Sequence, residues 1–165
     1  MPERPFPETY WVEPDRLLAG PYPGSRRPER AAERIAQFLE AGVTYFIDLT
    51  EEGELPPYKP LLLGKARHRR MPIPDFDVPS IQEMRRILDL IDRRLFEGDV
   101  VYLHCRGGLG RTGTVVGCYL VRHGMDGREA LREIRRKRQT TSFPRSPSPE
   151  TSAQRRMVLG WGRER

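Results

Sequence analysis

The feature that most constrains this chain is the stretch Val100-Val101-Tyr102-Leu103-His104-Cys105-Arg106-Gly107-Gly108-Leu109-Gly110-Arg111-Thr112-Gly113. β-Branched and aromatic residues favour a strand, the glycines break it, and an apolar pattern of helical spacing follows Arg111 and Thr112. The segment reads as a buried strand, a tight loop and the first turn of a helix. A helix start leaves backbone N–H groups without intrahelical partners, and a glycine-rich loop can turn its own N–H groups the same way, forming a nest for an anion of phosphate size. Cys105 stands at the lip of that nest, where a helix N-terminus and guanidinium groups favour the thiolate. Arg111 supplies a planar pair of donors that fits two phosphoryl oxygens. The expected phosphate-binding loop is therefore Arg106, Gly107, Gly108, Leu109, Gly110 and Arg111.

Two other phosphate loops compete for the same residues. Gly108-Leu109-Gly110-Arg111-Thr112-Gly113 satisfies the G-x-G-x-x-G dinucleotide pattern. About 20 residues further on, however, where a second strand ending in an acid is required, the sequence reads as a basic helix. A Walker loop needs Gly in place of Cys105 and Lys in place of Arg111. A cysteine merely buried at the end of a core strand is the plain alternative.

His104-Cys105, five intervening residues and then Arg111-Thr112 resemble the signature loop of the cysteine-dependent protein tyrosine and dual-specificity phosphatases. The resemblance extends from Trp11 to about Trp161. It implies metal-free, two-step hydrolysis of phosphomonoesters without a cofactor, with Cys105 as nucleophile and Arg111 holding the phosphoryl oxygens. Expulsion of the leaving oxygen calls for a proton donor. Asp75, thirty positions before the cysteine (105 − 75), looks like the general acid of compact members, in which a Pro-Ile-x-Asp segment replaces Trp-Pro-Asp. Asp77 is the alternative, and a turn-forming aspartate is the plain account of either.

By the same resemblance Thr112 donates to the Cys105 sulfur, a role compatible with helix capping, and His104 holds the loop through a hydrogen bond. Glu51, Glu52 and Glu54 read first as solvated loop charges; alternatively one of them holds Arg111 or Arg106 in place. Glu150-Thr151-Ser152-Ala153-Gln154 resembles the Gln-Thr-x-x-Gln segment that places the hydrolytic water, with Glu150 where the first glutamine belongs, leaving Gln154 as the candidate. The chain is short for a classical tyrosine phosphatase and has no Lys-Asn-Arg-Tyr loop, which points to the compact dual-specificity and archaeal-type enzymes. A single basic side chain inside the loop, Arg106, disfavours lipid phosphates. A phosphorylated protein or peptide is the expected substrate. The alternatives are a catalytically weak phosphoprotein-binding module, a phosphatase for a non-protein phosphomonoester, and a rhodanese-like sulfur carrier, whose loop holds one residue fewer.

The remainder alternates strand and helix. Tyr10-Trp11-Val12 and Leu17-Leu18-Ala19-Gly20 read as strands around Pro14-Asp15, and Pro28 opens a helix that Gly42 ends. Val43 to Leu49 and Arg67 to Ile73 read as further strands; His68, on the second, is assigned no chemistry. Ser80 caps a long helix with Ile81, Met84, Ile87, Leu88, Ile91 and Leu95 inward and Arg85, Arg86, Arg93 and Arg94 solvated. Helices are also expected over Thr112 to His123, from Asp126, and from Ser148 with Pro149 at the first position. This alternation predicts one α/β domain over residues 1–165, a mainly parallel central sheet flanked by helices, of the protein tyrosine phosphatase-like kind.

The 165 residues carry a net charge of +6, which suits acidic or phosphorylated partners. Arg132, Arg135, Arg136, Lys137 and Arg138 read as a solvated helix face; no aromatic residues interleave them, so no nucleic-acid partner is expected. Cys105 and Cys118 are the two cysteines, without metal-ligand spacing, so a reduced setting, no metal and a core position for Cys118 are expected. Without an apolar targeting core or a bilayer-length apolar run, the expectation is a cytoplasmic monomer free of membrane.

Overall fold

The structure is a computed structural model that describes residues 3–163. Tyr10–Glu13 (β1) and Leu17–Gly20 (β2) pair antiparallel across the Pro14-Asp15 turn. Tyr45–Asp48 (β3), Arg67–Arg70 (β4) and Val101–His104 (β5) complete a five-stranded sheet of order β1-β2-β5-β3-β4, parallel in every pair except β1 with β2. The central strand is β5, buried throughout, with Leu17 to Gly20 in register on one side and Tyr45 to Asp48 on the other. Parallel strands of an open sheet present their carboxyl ends together, and ligands of α/β proteins bind just beyond them. His104 and Cys105 stand at that edge.

Side-chain alternation along the strands builds two cores. Val101 and Leu103 of β5, with Tyr45, Ile47, Leu17 and Ala19, face the helices Ile81–Phe96 (α2), Gly110–Arg122 (α3), Gly127–Lys137 (α4) and Ser152–Gly160 (α5). Tyr102, Phe46, Leu18 and Trp11 face Pro28–Glu40, here α1, and the short 3-10 turn Lys59–Leu62. α1 opens on Pro28, whose fixed φ suits a first turn, and the chain leaves it through Gly42 at φ 97°. Ser80 Oγ and Asp126 Oδ1 accept the N–H groups of Glu83 and Glu129, capping α2 and α4. The central helix is α3, buried from Gly110 to Leu120, with Cys118 among its core residues. Among the described residues no helix is long and apolar enough to cross a membrane.

Several local expectations shift. α3 begins at Gly110 rather than Thr112, so the loop is tighter than the sequence suggested. β4 stops at Arg70; beyond it Met71 and Ile73 still donate to the carbonyls of Asp48 and Leu49, but the prolines flanking Ile73 end the strand. Ile81, the first residue of α2, is exposed rather than part of the core. Arg94 lies over the Tyr45 ring and pairs with Asp99 at 3.4 Å instead of facing solvent. Arg138, expected on the solvated face, is buried. The last helix starts at Ser152 with Thr151 as its cap, because Ser148 turns inward and its hydroxyl donates to Leu109 O at 2.7 Å.

Phe38 is fully buried, with the rings of Tyr102, Phe6 and Phe46 at 4.5, 5.3 and 6.0 Å. Phe38→Ala is expected to cost about 3–5 kcal/mol. Guanidinium denaturation of wild type and variant checks this.

Candidate active site

The nucleotide-like glycine pattern and the cysteine meet in one turn at the end of β5. Gly108 sits at φ 74°, where a Cβ would lie 2.5 Å from the carbonyl carbon of Gly20, so only glycine lets the loop pack on the end of β2. Its N–H donates to Cys105 Sγ at 3.3 Å. The Tyr22 N–H donates to Arg106 O at 3.0 Å and fastens the loop from the same side. Gly110 opens α3 against the carboxylate of Glu150; a Cβ there would stand 2.5 Å from Glu150 Oε1. Cys105 is almost wholly buried.

Behind the loop His104 is held from both ring nitrogens. Nδ1 faces Cys105 O at 3.0 Å, and that carbonyl can only accept, so Nδ1 carries the proton. Burial pushes the imidazole pKa down, so His104 is neutral and its Nε2 accepts from the Tyr58 hydroxyl, a phenol that burial holds in its protonated form. Asp48, buried beside them, accepts from the Thr50 N–H and hydroxyl at 2.9 and 2.6 Å and pairs with His68 Nε2 at 2.9 Å. Burial works against its charge, but the His68 and Thr50 hydrogen bonds prevail and hold it well below the usual carboxylate range. The loop-holding role expected of His104 is present. His68, given no chemistry from sequence, is part of this support, and Tyr58 and Asp48 carried no sequence signal.

Arg111 is 1% exposed and leaves the first turn of α3 to meet acids from two loops. Its Nη1 and Nη2 donate to Glu54 Oε1 and Oε2 at 2.9 and 2.7 Å, and Nη1 also donates to Ile73 O at 2.9 Å. Asp75 Oδ1 lies 3.2 Å from Nη2. Arg106 Nε adds contacts to Glu54 at 3.3 Å and Asp75 at 3.9 Å. The Arg111 hydrogen bonds pull Glu54 down to about 2, and despite burial Glu54 holds Arg111 above the ordinary guanidinium value. Of the three glutamates, Glu51 and Glu52 are exposed, as solvated loop charges would be. Glu54 is not: it crosses to both arginines.

The two loop aspartates separate. Both are exposed and each accepts the N–H of the next residue, Asp75 that of Phe76 at 3.0 Å and Asp77 that of Val78 at 2.8 Å, but Asp75 alone also reaches Arg111. Between them Phe76 takes φ 63°, left-handed backbone that a non-glycine adopts at a cost. Gln154 does not stand free to place water. Its Oε1 accepts the Glu150 and Thr151 N–H groups and its Nε2 donates to Asp77 O, all at 3.1 Å. The amide thus completes a capping box with Thr151 and anchors the aspartate loop; the spacing Thr-x-x-Gln is the sequence signal for that role. The carboxylate on this segment belongs to Glu150, whose pKa is pushed up by burial and by the charge of Asp75.

Thr112 differs from expectation. Its hydroxyl makes no hydrogen bond to the Cys105 sulfur, which takes the Gly108 N–H, and it caps nothing, since Leu109 is the residue before the helix. Thr112 Oγ1 and Arg111 Nε are instead buried without a hydrogen-bond partner. Two orphaned donors beside a buried thiol and the start of a buried helix fit an acceptor-rich anion. Among the described residues no cluster of three or more His, Cys, Asp or Glu is arranged to hold a metal ion.

The chain matches the sequence profile of PTP-SAK, described as Swiss Army Knife protein, DSP-PTPase phosphatase domain, over residues 7–158. It is 31% identical over 120 residues to the dual specificity protein phosphatase CDC14B of Mus musculus, covering 68% of this chain and 24% of that protein. It is 28% identical over 134 residues to the tyrosine-protein phosphatase CDC14 homolog of Schizosaccharomyces pombe, covering 76% of this chain and 25% of that protein. The chain thus spans only about a quarter of the length of these two curated relatives. The crystal structure of Tk-PTP in the active form superposes with a TM-score of 0.76 at 30% identity, over 96% of this chain and 99% of that one. A profile that runs from before β1 into α5 and a likeness that covers both chains nearly end to end place this protein in the PTP-SAK family of DSP-PTPase phosphatase domains.

Proposed function

We propose that this protein is a cysteine-dependent protein tyrosine or dual-specificity phosphatase. The observation that carries the reading is the buried Arg111, clamped by Glu54 and Ile73 O, with its Nε still unpaired in the turn that follows Cys105. A guanidinium fixed in this way is preorganised for charge that spreads over a transferring phosphoryl group.

In the first step the Cys105 thiolate attacks phosphorus, the bond to the leaving oxygen breaks, and Asp75 gives that oxygen its proton. Arg111 and the N–H groups of the loop Arg106-Gly107-Gly108-Leu109-Gly110 hold the equatorial oxygens. In the second step the Asp75 carboxylate takes a proton from water as the water oxygen attacks the cysteinyl-phosphate. The S–P bond breaks, returning thiolate and releasing phosphate. Thr112, whose buried hydroxyl has no hydrogen-bond partner, is a further donor available to the bound anion. Glu54 and Gln154 are positioning residues: one sets the guanidinium, the other the loop that bears Asp75. A phosphorylated protein or peptide is the substrate class, by analogy with the relatives named as protein phosphatases.

Hydrolysis of p-nitrophenyl phosphate in the presence of EDTA tests the reading. Wild type should turn over, Cys105→Ser should not, and Asp75→Asn should lose about 10²–10⁴-fold in kcat. Asp77→Asn should leave kcat near wild type; an equal loss there would transfer the acid role. Folded wild type without metal-independent turnover overturns the proposal.

The Glu54–Arg111 pair also predicts a pH dependence. With the Glu54 pKa lowered from 4.5 to about 2, its stabilisation is present above 4.5 and is lost as pH falls towards 2. Glu54→Gln should therefore be less stable than wild type at pH 7, and the difference should shrink between about pH 4.5 and 2. Urea denaturation across that range measures it.

A further inference from the structure

The two edges of the sheet differ. β1 is buried from Tyr10 to Val12, whereas β4, at the opposite edge, exposes Arg67 and Arg69 and half-buries His68 and Arg70. The N–H groups of Arg67 and Met71 donate inward, to Thr44 O and Asp48 O. Backbone direction alternates along a strand, so the N–H and C=O groups of His68 and Arg70 point off the edge. No strand of the described residues lies beyond them.

Charge and shape say what such an edge accepts. Arg70 turns to Thr50 and Asp48, and Arg67 lies over the Tyr45 ring and pairs with Asp99 at 3.6 Å. Arg69 makes no hydrogen bond and no ion pair, and neither does Arg86 of α2. Both line a cleft of about 310 Å³ between the end of β4 and α2, with Met71, Pro72 and Ile87 as its apolar lining and Glu83 as its one carboxylate. An open edge is a template for another strand. The edge of a second copy is a poor match, because arginines would stand opposite arginines. An extended segment that carries acids is a good one.

We propose that β4 takes, by antiparallel strand addition, an acidic segment of the phosphorylated protein substrate with the form apolar-x-acid-x-acid. The substrate assignment rests on the phosphatase reading; the strand addition does not. His68 and Arg70 each supply one N–H and one C=O to the added strand, and the ladder ends at Pro72, which has no N–H. Arg67, Arg69 and Met71 then occupy the non-hydrogen-bonded positions, where opposed side chains stand closest. The apolar residue opposite Met71 enters the cleft, and the acids two and four positions later meet Arg69 and Arg67. Antiparallel pairing leaves the N-terminal end of the segment at the end of β4 that leads to Asp75. Five residues separate Arg70 from Asp75 (75 − 70), at most about 18 Å of chain, so the phosphorylated residue lies on the N-terminal side of the segment.

An unphosphorylated peptide containing Leu-Thr-Glu-Thr-Glu, compared with one in which lysine replaces both glutamates, tests the addition on the full chain. Hydrogen exchange followed by NMR at saturating peptide should slow at least about tenfold at the His68 and Arg70 amides with the glutamate peptide and not with the lysine one. Arg69→Glu/Arg86→Glu should weaken binding at least about tenfold. No binding, binding without slowed exchange at these amides, or binding unchanged by the charge reversal overturns the proposal. The lysine peptide and Arg69→Gln keep the test readable if the double variant does not fold. Phosphotyrosine is then joined to the N-terminal side of each peptide by ten Gly/Ser residues, with a root-mean-square span of about 16–19 Å. The glutamate form should exceed the lysine form at least about tenfold in kcat/KM, through KM. That gain should vanish in the double variant, whose kcat on p-nitrophenyl phosphate stays at the wild-type value. Equal kcat/KM for the two forms overturns the assignment to substrate. Failure to hydrolyse any phosphoester rejects the phosphatase reading and leaves the exchange measurement to decide the strand addition.

Discussion

The rest of the site depends on the buried ion pair between Arg111 and Glu54. A guanidinium taken out of water costs several kcal/mol unless its donors are matched and its charge is countered. Glu54 meets it with both carboxylate oxygens and Ile73 adds a carbonyl. That requirement fixes three otherwise independent segments against the first turn of α3: the acidic stretch after β3, the proline-rich loop after β4, and the loop bearing the cysteine. Asp75 then approaches Arg111 to 3.2 Å on its outer side. With Asp75 beside the cation, the two groups that would handle charge and proton are brought together by one packing demand.

The support is as specific from behind. β5 ends between two parallel strands, so its last residues meet side chains from both neighbours. His104 uses one nitrogen to hold the Cys105 carbonyl and the other to receive Tyr58, and Asp48 at the end of β3 draws in His68 from the edge strand. In front, Gly108 lets the end of β2 press on the turn, a position at which a Cβ would collide with the backbone of Gly20 and Pro21, while Gly110 meets the side-chain ends of Glu150 and Gln154. A buried helix starting at such a turn directs its unpaired N–H groups to one place, and rigidity there is what electrostatic stabilisation of a transferred phosphoryl group requires.

Charge is distributed unevenly across this basic chain. Glu54, Asp75 and Glu150 gather about Arg111, so the anion nest is bordered by acids that position the guanidinium and carry protons. The arginine run near the end of α4 divides in two: Arg136 and Lys137 answer Glu133 on the helix surface, while Arg138 is buried and donates to the carbonyls of Ser146 and Phe143.

By itself the sequence determined the strand–loop–helix unit, the cysteine and arginine within it, the alternating α/β order and the aspartate-bearing proline loop. Each of these is local: period-two and period-3.6 patterning, glycine spacing and capping signals act over a few residues. Which of Glu51, Glu52 and Glu54 meets Arg111, and which of Asp75 and Asp77 faces it, were decided only by tertiary structure, because those contacts join residues 57 and 36 positions apart (111 − 54 and 111 − 75) in the chain. The same holds for Gln154, whose amide is consumed by the helix it caps and the loop it anchors, and for Tyr58 and Asp48, unremarkable until β3 and β5 lie side by side. Burial is the physical reason: each polar group removed from water takes the partner the packing supplies, and packing is a property of the whole chain.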